Sequence, residues 1–253
     1  IRAGQFVAIL SGPAAGTFRR VALPILDSAV LLDAPIPKET GFVSIVDGFL
    51  GTRFADNTVD VRGSSTSYGL ILPGNHFGTI VEGNRFFGGA QGLTASACAS
   101  EAPVHWGWSH CPAMGVVVRN NVFEDVREAL RLCVEHNPKH IKFQAGRVYM
   151  STTVEGNVVR WTEPFLRAVA SADRSRPKAG GGDDERPLLG LILGDPKSRD
   201  PKELRVKAAS NALEAPPGRR PGPSLLIRAA DVNGKPTADQ AEELPPAGPG
   251  RGR

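Results

Sequence analysis

The sequence predicts an all-β chain wound as a parallel β-helix, a solenoid of stacked coils. One pattern is written three times between Thr79 and Val169, centred on Asn84, Asn121 and Asn157. In each copy a valine stands three residues before the asparagine, an apolar residue stands two after it, and a leucine stands nine after it. A shared register with unequal gaps is typical of a repeat array in which one corner of each repeat carries insertions.

The apolar runs of each copy have the composition of strands. The runs before the asparagines are rich in β-branched residues and lack a helical period. The leucine-centred runs 93–95, 130–132 and 166–168 alternate apolar with polar or small residues, as strands with one buried face do. Weaker copies surround Asn57 and Asn211. Stacked asparagines in such coils bond one another's amides in a ladder. A β-sandwich whose turns match by coincidence is the alternative.

The turn sequences resemble those of a known family. GNRF at 83–86 and NNVF at 120–123 are similar to turns of the right-handed parallel β-helix proteins of the pectate-lyase-like superfamily. Upstream, GTFRRV, AVLLDAP and FVSI resemble the strand-rich segment that precedes the coils in many bacterial members. The resemblance covers about residues 5 to 170 and implies the fold. Because that superfamily holds lyases, hydrolases, epimerases and non-catalytic adhesins, the fold alone does not assign an activity.

Three regions are expected along the chain. They are a strand-rich entry segment at 1–48, the parallel β-helix at 49–231 and a disordered, proline-rich tail at 232–253. Strands of the entry segment are predicted at 5–10, 17–22, 29–32 and 42–46, with prolines between them. The chain begins without a methionine and shows no clear end cap, so we expect a fragment or a processed product.

Three insertions interrupt the predicted coils, at 98–113, 135–147 and 171–186. Each begins after the strand that contains the leucine of its repeat. Residues at one phase of a solenoid lie above one another, so the insertions are predicted to leave from one edge and to wall one side of a groove. The predicted floor of the groove is the column one residue after the leucines, which consists of Thr94, Arg131 and Arg167.

Composition narrows the classes of partner. The formal net charge is only +4, and half of the 30 basic residues lie after position 170, so no concentrated nucleic-acid patch is expected. No run of 18 apolar residues occurs, so no membrane span is expected. The expected partner is a polysaccharide, and the expected location is extracellular or at the cell surface.

The insertion at 98–113 holds the predicted substrate-binding residues, in addition to Thr94 of the floor. Trp106 and Trp108 are candidates for stacking on sugar rings, and His105 and His110 lie beside them. The alternative is that one of the tryptophans packs downward and anchors the loop.

The predicted catalytic residues fit a lyase that acts on an acidic polysaccharide. Such an enzyme needs a cation beside the uronate carboxylate and a base that removes the neighbouring proton. Arg131 and Arg167 are candidates for the cation, and His136, Lys139 and His140 are candidates for the base. The alternative is a strand face with solvated arginines and loop histidines without a role.

No cofactor is predicted; a calcium ion stays possible, but no cluster of ligands for it is identified in the sequence. The calcium-dependent lyases of the superfamily imply an aspartate cluster on the strand face, and none is found in the sequence. The His136-x3-His140 spacing resembles a zinc motif, but Asn and Pro between them interrupt any helix. Cys98 and Cys111 flank an insertion and are placed either as a disulfide or as separate thiols, while Cys133 is expected to be small and buried.

The functional hypothesis is therefore a secreted protein that binds, and in one version cleaves, an extended acidic polysaccharide along a groove. Lyase chemistry is favoured over hydrolysis, because no paired carboxylates appear on the strand face. The alternatives are a non-catalytic surface or adhesion module and a degenerate fragment without activity.

Overall fold

The computed structural model of the chain describes residues 1–24, 29–38, 40–64, 66–99, 111–136, 149–175, 189–193, 204–214, 216, 226–229, 231–232, 235–236 and 242–243. Within these ranges the chain is all-β except for one helix, α1, at Glu163–Ser175. The predicted fold class is confirmed at that level.

The entry segment forms a four-stranded antiparallel sheet. Its strands are β1 (Phe6–Ile9), β2 (Phe18–Pro24), β3 (Val30–Leu32) and β4 (Val43–Val46), in the order β3-β2-β1-β4. The predicted strands of this segment are therefore confirmed. The apolar face of this sheet packs on Phe77, Met114 and Tyr149 and forms a second small core.

Beyond residue 50, three parallel sheets collect strands from successive repeats. The first contains β6 (Arg53–Ala55), β10 (Ile80–Glu82), β13 (Ala113–Arg119), β16 (Met150–Glu155) and β19 (Leu204–Ala209). The second contains β7 (Thr58–Asp60), β11 (Arg85–Phe87), β14 (Val122–Glu124), β17 (Val158–Arg160) and β20 (Ala212–Glu214). The third contains β8 (Tyr68–Pro73), β12 (Gln91–Ala99), β15 (Glu128–His136), β18 (Leu189–Leu193) and β21 (Leu226–Ala229).

Five short strands complete the sheets. On the first sheet, β5 (Phe49–Leu50) pairs with β9 (His76–Phe77), and β22 (Asp231–Val232) pairs with β19 and with β23 (Lys235–Pro236). On the third sheet, β24 (Glu242–Glu243) pairs antiparallel with β21. The last three strands lie in or next to the tail that was predicted to be partly disordered. The tail residues between and after them lie outside the described residues.

The five asparagines stack into a hydrogen-bonded ladder between the first and second sheets, as predicted. The side-chain Nδ2 of Asn57, Asn84, Asn121 and Asn157 donates to the Oδ1 of the next asparagine at 2.9–3.1 Å, ending at Asn211. The backbone N–H of each of the four donates to the same oxygen at 2.9–3.1 Å. Three of these side chains are fully buried, so each amide substitutes for water that the site excludes.

The residue before each ladder asparagine bends the chain between the two sheets. Asp56, Gly83, Asn120, Gly156 and Ser210 all have positive φ angles, between 54° and 66°. Glycine adopts this left-handed conformation freely, and short polar residues adopt it at small cost. The bend brings the strands before and after it onto different sheets without any longer connection.

Apolar side chains repeat in register inside the three sheets and form one core. Parallel pairing aligns Val81 with Val118, Phe86 with Phe123, and Leu93 with Leu130. The two phenylalanine rings stack with centroids 5.0 Å apart. The three offsets that define the repeat in the sequence are therefore three positions that face the core, one on each sheet.

The structure corrects the strand that was predicted at the leucine of the third main repeat. Residues 166–168 were predicted to be a strand, but Leu166 lies in α1, and Leu191 of β18 takes the place beside Leu130. The helix begins because Thr162 caps it: Thr162 O accepts from Leu166 N at 3.0 Å, and Thr162 Oγ1 accepts from Phe165 N at 3.4 Å. Leu166 is still buried in the core, which explains why its spacing matched.

The Cys98 side chain lies outside the described residues, so the two alternatives for Cys98 and Cys111, a disulfide or separate thiols, stay predictions. Cys111 and Cys133 are both buried. The expected burial of Cys133 is confirmed.

Replacing one rung tests the ladder. Asn121→Ala removes the oxygen that accepts two hydrogen bonds from Asn84 and the N–H group that donates to Asn157. Each buried polar group that is left without a partner costs about 1–3 kcal/mol. We expect the free energy of unfolding in urea to fall by about 3–5 kcal/mol. The adjacent Asn120→Gly, at an exposed left-handed position, is the matched control and should change it by less than about 1 kcal/mol. Equal losses in the two variants would contradict the ladder.

A buried histidine gives the fold a pH dependence. Burial lowers the pKa of His76 below its ordinary 6.5, and its Nδ1 lies 3.1 Å from Thr79 Oγ1. Below pH 6.5 the unfolded chain therefore binds a proton at His76 more readily than the folded chain does. The free energy of unfolding is greatest above pH 6.5 and falls as the pH drops through about 6.5. Urea denaturation of the wild type and of His76→Gln between pH 8 and pH 5 should show a weaker pH dependence in the variant. Parallel curves would contradict the assignment.

Candidate functional site

The third sheet holds two of the three residues of the predicted groove floor. Thr94 of β12 and Arg131 of β15 are direct partners in the parallel register, so the predicted column is confirmed for these two residues. The two side chains point away from the core, since the buried Leu93 and Leu130 precede them. Thr94 is nevertheless buried, so it is not the open surface that was expected.

Four side chains on this face form a continuous network of hydrogen bonds, called here the polar network: Gln91, Thr94, Glu128 and Arg131. Thr94 Oγ1 donates to Gln91 Oε1 at 2.6 Å, and Gln91 Nε2 donates to Glu128 Oε2 at 2.5 Å. Arg131 Nε and Nη2 each donate to Glu128 at 3.0 Å. Two neighbouring strands are thereby joined by side chains as well as by backbone.

The Glu128–Arg131 pair determines the electrostatics of the network. Glu128 is 2% exposed, so its charge depends on the guanidinium and on the Gln91 amide for compensation. Arg131 is 36% exposed and uses only Nε and Nη2 on Glu128. Within the described ranges no residue accepts from its Nη1. That nitrogen is therefore the part of the network that is best placed to donate to a ligand oxygen.

Sequence reasoning missed Gln91 and Glu128. Both stand seven residues after a ladder asparagine, Asn84 and Asn121 respectively, so a search for long polar side chains at a shared offset would have found them. It also missed Tyr68 and Ile71 of β8, which pair in register with Gln91 and Thr94. They belong to the degenerate first copy, where the offset from the asparagine differs.

Arg167 does not join this column. It lies on α1, where it pairs with Glu163 at 2.9 Å and is 69% exposed. The place beside Arg131 on the third sheet belongs to Ile192. The pair of groove arginines that was predicted from the leucine spacing is therefore wrong, because the helix removes Arg167 from the sheet.

Two of the three predicted insertions share an edge, and the third does not. Residues 100–112 and 137–149 each connect the end of a third-sheet strand, β12 or β15, to the next strand of the first sheet. Residues 171–186 instead fall between β17 and β18 in the chain, and 171–175 belong to α1. Residues 194–203, between β18 and β19, lie outside the described residues.

Six of the other predicted site residues lie outside the described residues: His105, Trp106, Trp108, His110, Lys139 and His140. His136 is the last residue of β15, at the end of the strand that carries Arg131. The predictions for these residues stay predictions.

On the other two sheets, charged residues are largely paired with each other. Glu82 lies between Arg119 at 2.6 Å and Arg53 at 2.5 Å, and hydrogen bonds from Arg119 hold the pKa of Glu82 below its ordinary value. Arg160 lies between Glu214 at 2.5 Å and Glu124 at 3.2 Å. Among the described residues, no group of three or more His, Cys, Asp or Glu is arranged to hold a metal ion.

No family model, curated protein or solved structure matches this chain. In the described part of the chain, no helix has the length and apolarity needed to cross a membrane. The geometry of the third sheet therefore carries the functional argument.

Replacing Arg131 or Arg167 by alanine distinguishes the ion pair of the polar network from an ordinary surface ion pair. Arg131→Ala leaves the Glu128 carboxylate buried without its cation, and we expect a loss of about 2–4 kcal/mol in unfolding free energy. Arg167→Ala breaks an exposed i,i+4 pair and should cost less than about 0.5 kcal/mol. Both values come from urea denaturation at neutral pH. A loss at Arg131 no larger than that at Arg167 would show that Glu128 is not held as described.

Proposed function

We propose that the three parallel sheets are the walls of one right-handed parallel β-helix, the fold that the resemblance to the pectate-lyase-like superfamily implies. The chain passes from first to second to third sheet in the same order in each repeat, which supports a single continuous winding. Connections between parallel strands are right-handed in about 98% of cases, which supports the hand.

We propose further that the protein binds an extended, acidic polysaccharide along the outer face of the third sheet. The observation that carries this proposal is the polar network, in which Arg131 is held rigidly by the buried Glu128 and keeps Nη1 available. A guanidinium fixed by one carboxylate and partly exposed suits recognition of a second carboxylate or of sugar hydroxyls.

An extended ligand fits the arrangement better than a compact one. The strands of the third sheet repeat every ~4.8 Å, so equivalent outward positions form rows across several strands. In chain order, β12, β15 and β18 are each followed by a strand of the first sheet, so the third sheet ends each repeat in the same way.

Binding is favoured over cleavage in this proposal. A lyase site needs a cation and a base at one point, and Arg167 lies on α1 instead of beside Arg131. His136, Lys139 and His140 stay the candidates for the base in the catalytic version. In either version the substrate implies an extracellular or cell-surface location, and a non-catalytic surface module is the nearest alternative.

Affinity electrophoresis through gels that contain polygalacturonate, alginate or a neutral glucan tests the proposal. We expect retardation by a uronate polymer and about a tenfold weaker affinity for Arg131→Gln, equivalent to about 1.4 kcal/mol. Arg167→Gln removes the same charge elsewhere and should bind as the wild type does. Denaturation curves for both variants check that they are folded.

Two outcomes would overturn parts of the proposal. Failure of every polymer to retard the wild type would exclude polysaccharide binding under those conditions and favour a spacer or adhesion module. An increase in ultraviolet absorbance from an unsaturated product, on incubation with the retarding polymer, would show that the protein cleaves its ligand and would replace binding with lyase activity.

A further inference from the structure

We propose that Tyr68 and Ile71 form an apolar sugar-binding subsite at the edge of the third sheet, next to the polar network. The inference rests on the proposed polysaccharide function and extends it to the chemistry of a second sugar unit. This unit would present an apolar ring face to Tyr68 while its neighbour meets Arg131.

Both side chains are exposed although they are large and apolar. Tyr68 is 46% exposed and Ile71 is 49% exposed. They lie on β8, which is the edge strand of the third sheet in the part of the chain that the structure describes. In contrast, the outward residues at the same positions of β12, Gln91 and Thr94, are buried.

The register places the subsite beside the polar network. Tyr68 pairs with Gln91, and Ile71 pairs with Thr94. In turn, Gln91 pairs with Glu128, and Thr94 pairs with Arg131.

The same three-residue spacing therefore occurs on three successive strands, in the pairs Tyr68–Ile71, Gln91–Thr94 and Glu128–Arg131. The hydrogen bonds within the last two pairs show that the two members of each pair lie close together although they are three residues apart. Because β8 pairs with β12 in register, Tyr68 and Ile71 take the equivalent positions on β8, and both are exposed there.

The distances require a ligand longer than one sugar. Neighbouring strands lie ~4.8 Å apart, so Ile71 and Arg131, two strands apart, are separated by about 10 Å across the sheet. A chain running across the strands would therefore meet the apolar subsite and Arg131 with different units. This is the direction that the proposed groove requires.

The subsite and Arg131 would recognise different chemical groups of the polymer. A tyrosine ring offers a flat apolar face together with a polar hydroxyl, and a pyranose ring offers contiguous C–H groups on one face with hydroxyls at its rim. Arg131 offers a charged donor for a carboxylate. Ligand sites commonly combine such aromatic walls with a few fixed polar groups. We therefore infer a polymer in which a unit with an open C–H face adjoins a uronate.

The second exposed aromatic residue on a strand provides a control. Phe49 of β5 is 62% exposed, but its ring already stacks on His76 with centroids 5.3 Å apart. It pairs with the first sheet and not with the third. A general effect of removing exposed aromatic surface would appear at Phe49 as well as at Tyr68.

Affinity measurements on three variants test the subsite, with the uronate polymer that retards the wild type. Tyr68→Ala should weaken binding about fivefold to tenfold through loss of apolar contact. Tyr68→Phe keeps the ring and should stay within about twofold of the wild type, since the face makes the contact. Phe49→Ala should leave the affinity unchanged.

A second measurement on the wild type does not depend on the folding of any variant. The chain has two tyrosines, and Tyr149 is buried. In protein with ¹³C-labelled tyrosine rings, titration with oligomers of the same polymer should shift the Tyr68 ring signals and leave those of Tyr149 in place.

The outcomes separate the two proposals. If the wild type binds and Arg131→Gln weakens binding, while Tyr68→Ala binds normally and the Tyr68 signals do not move, the subsite is wrong and the proposed function stands. If the wild type binds no polymer in either measurement, both proposals fail. Equal losses for Tyr68→Ala and Phe49→Ala would also overturn the subsite.

Discussion

The asparagine ladder is the interaction on which the rest of the structure depends. Each rung lies where the chain turns from the first to the second sheet, and Asn84, Asn121 and Asn157 are fully buried there. A buried amide must satisfy all of its polar groups, and stacking on identical neighbours achieves this at every level. The ladder therefore fixes the register between successive repeats, and the register aligns the core columns and the rows of the third sheet. The predicted insertions all begin after the ladder asparagine of their repeat.

Much of this organisation could be predicted from the sequence, because it depends on residue identity at fixed offsets. Valine before the asparagine and phenylalanine after it mark inward positions, and the left-handed residue before it is a glycine or a short polar residue in every copy. Helix α1 could not be predicted from the repeat, because Leu166 satisfies the leucine spacing while Thr162 and the residues after it form a helix start. These residues therefore form a helix where the repeat pattern predicts a strand, and the predicted position of Arg167 on the third sheet is wrong as a result.

The candidate site was predicted only in part, for a related reason. The column of Thr94 and Arg131 follows directly from the offset of the leucines, so phase alone predicts it. Gln91 and Glu128 precede the leucines, where the strand begins, and their contacts to residues three positions later depend on the local backbone. Buried charge is uncommon without a partner, so the Glu128–Arg131 pair both stabilises the sheet and orients the guanidinium that the proposed ligand would meet.

Hydrogen exchange of the asparagine side chains tests the central claim most directly. In protein labelled with ¹⁵N only at asparagine, the side-chain amides of Asn84, Asn121 and Asn157 are expected to exchange slowly and to show cross-peaks from each rung to the next. Asn120, which is exposed and adjacent in sequence, provides the fast-exchanging reference. If the three ladder amides exchanged as fast as Asn120 and showed no contacts with one another, the asparagine ladder would be contradicted.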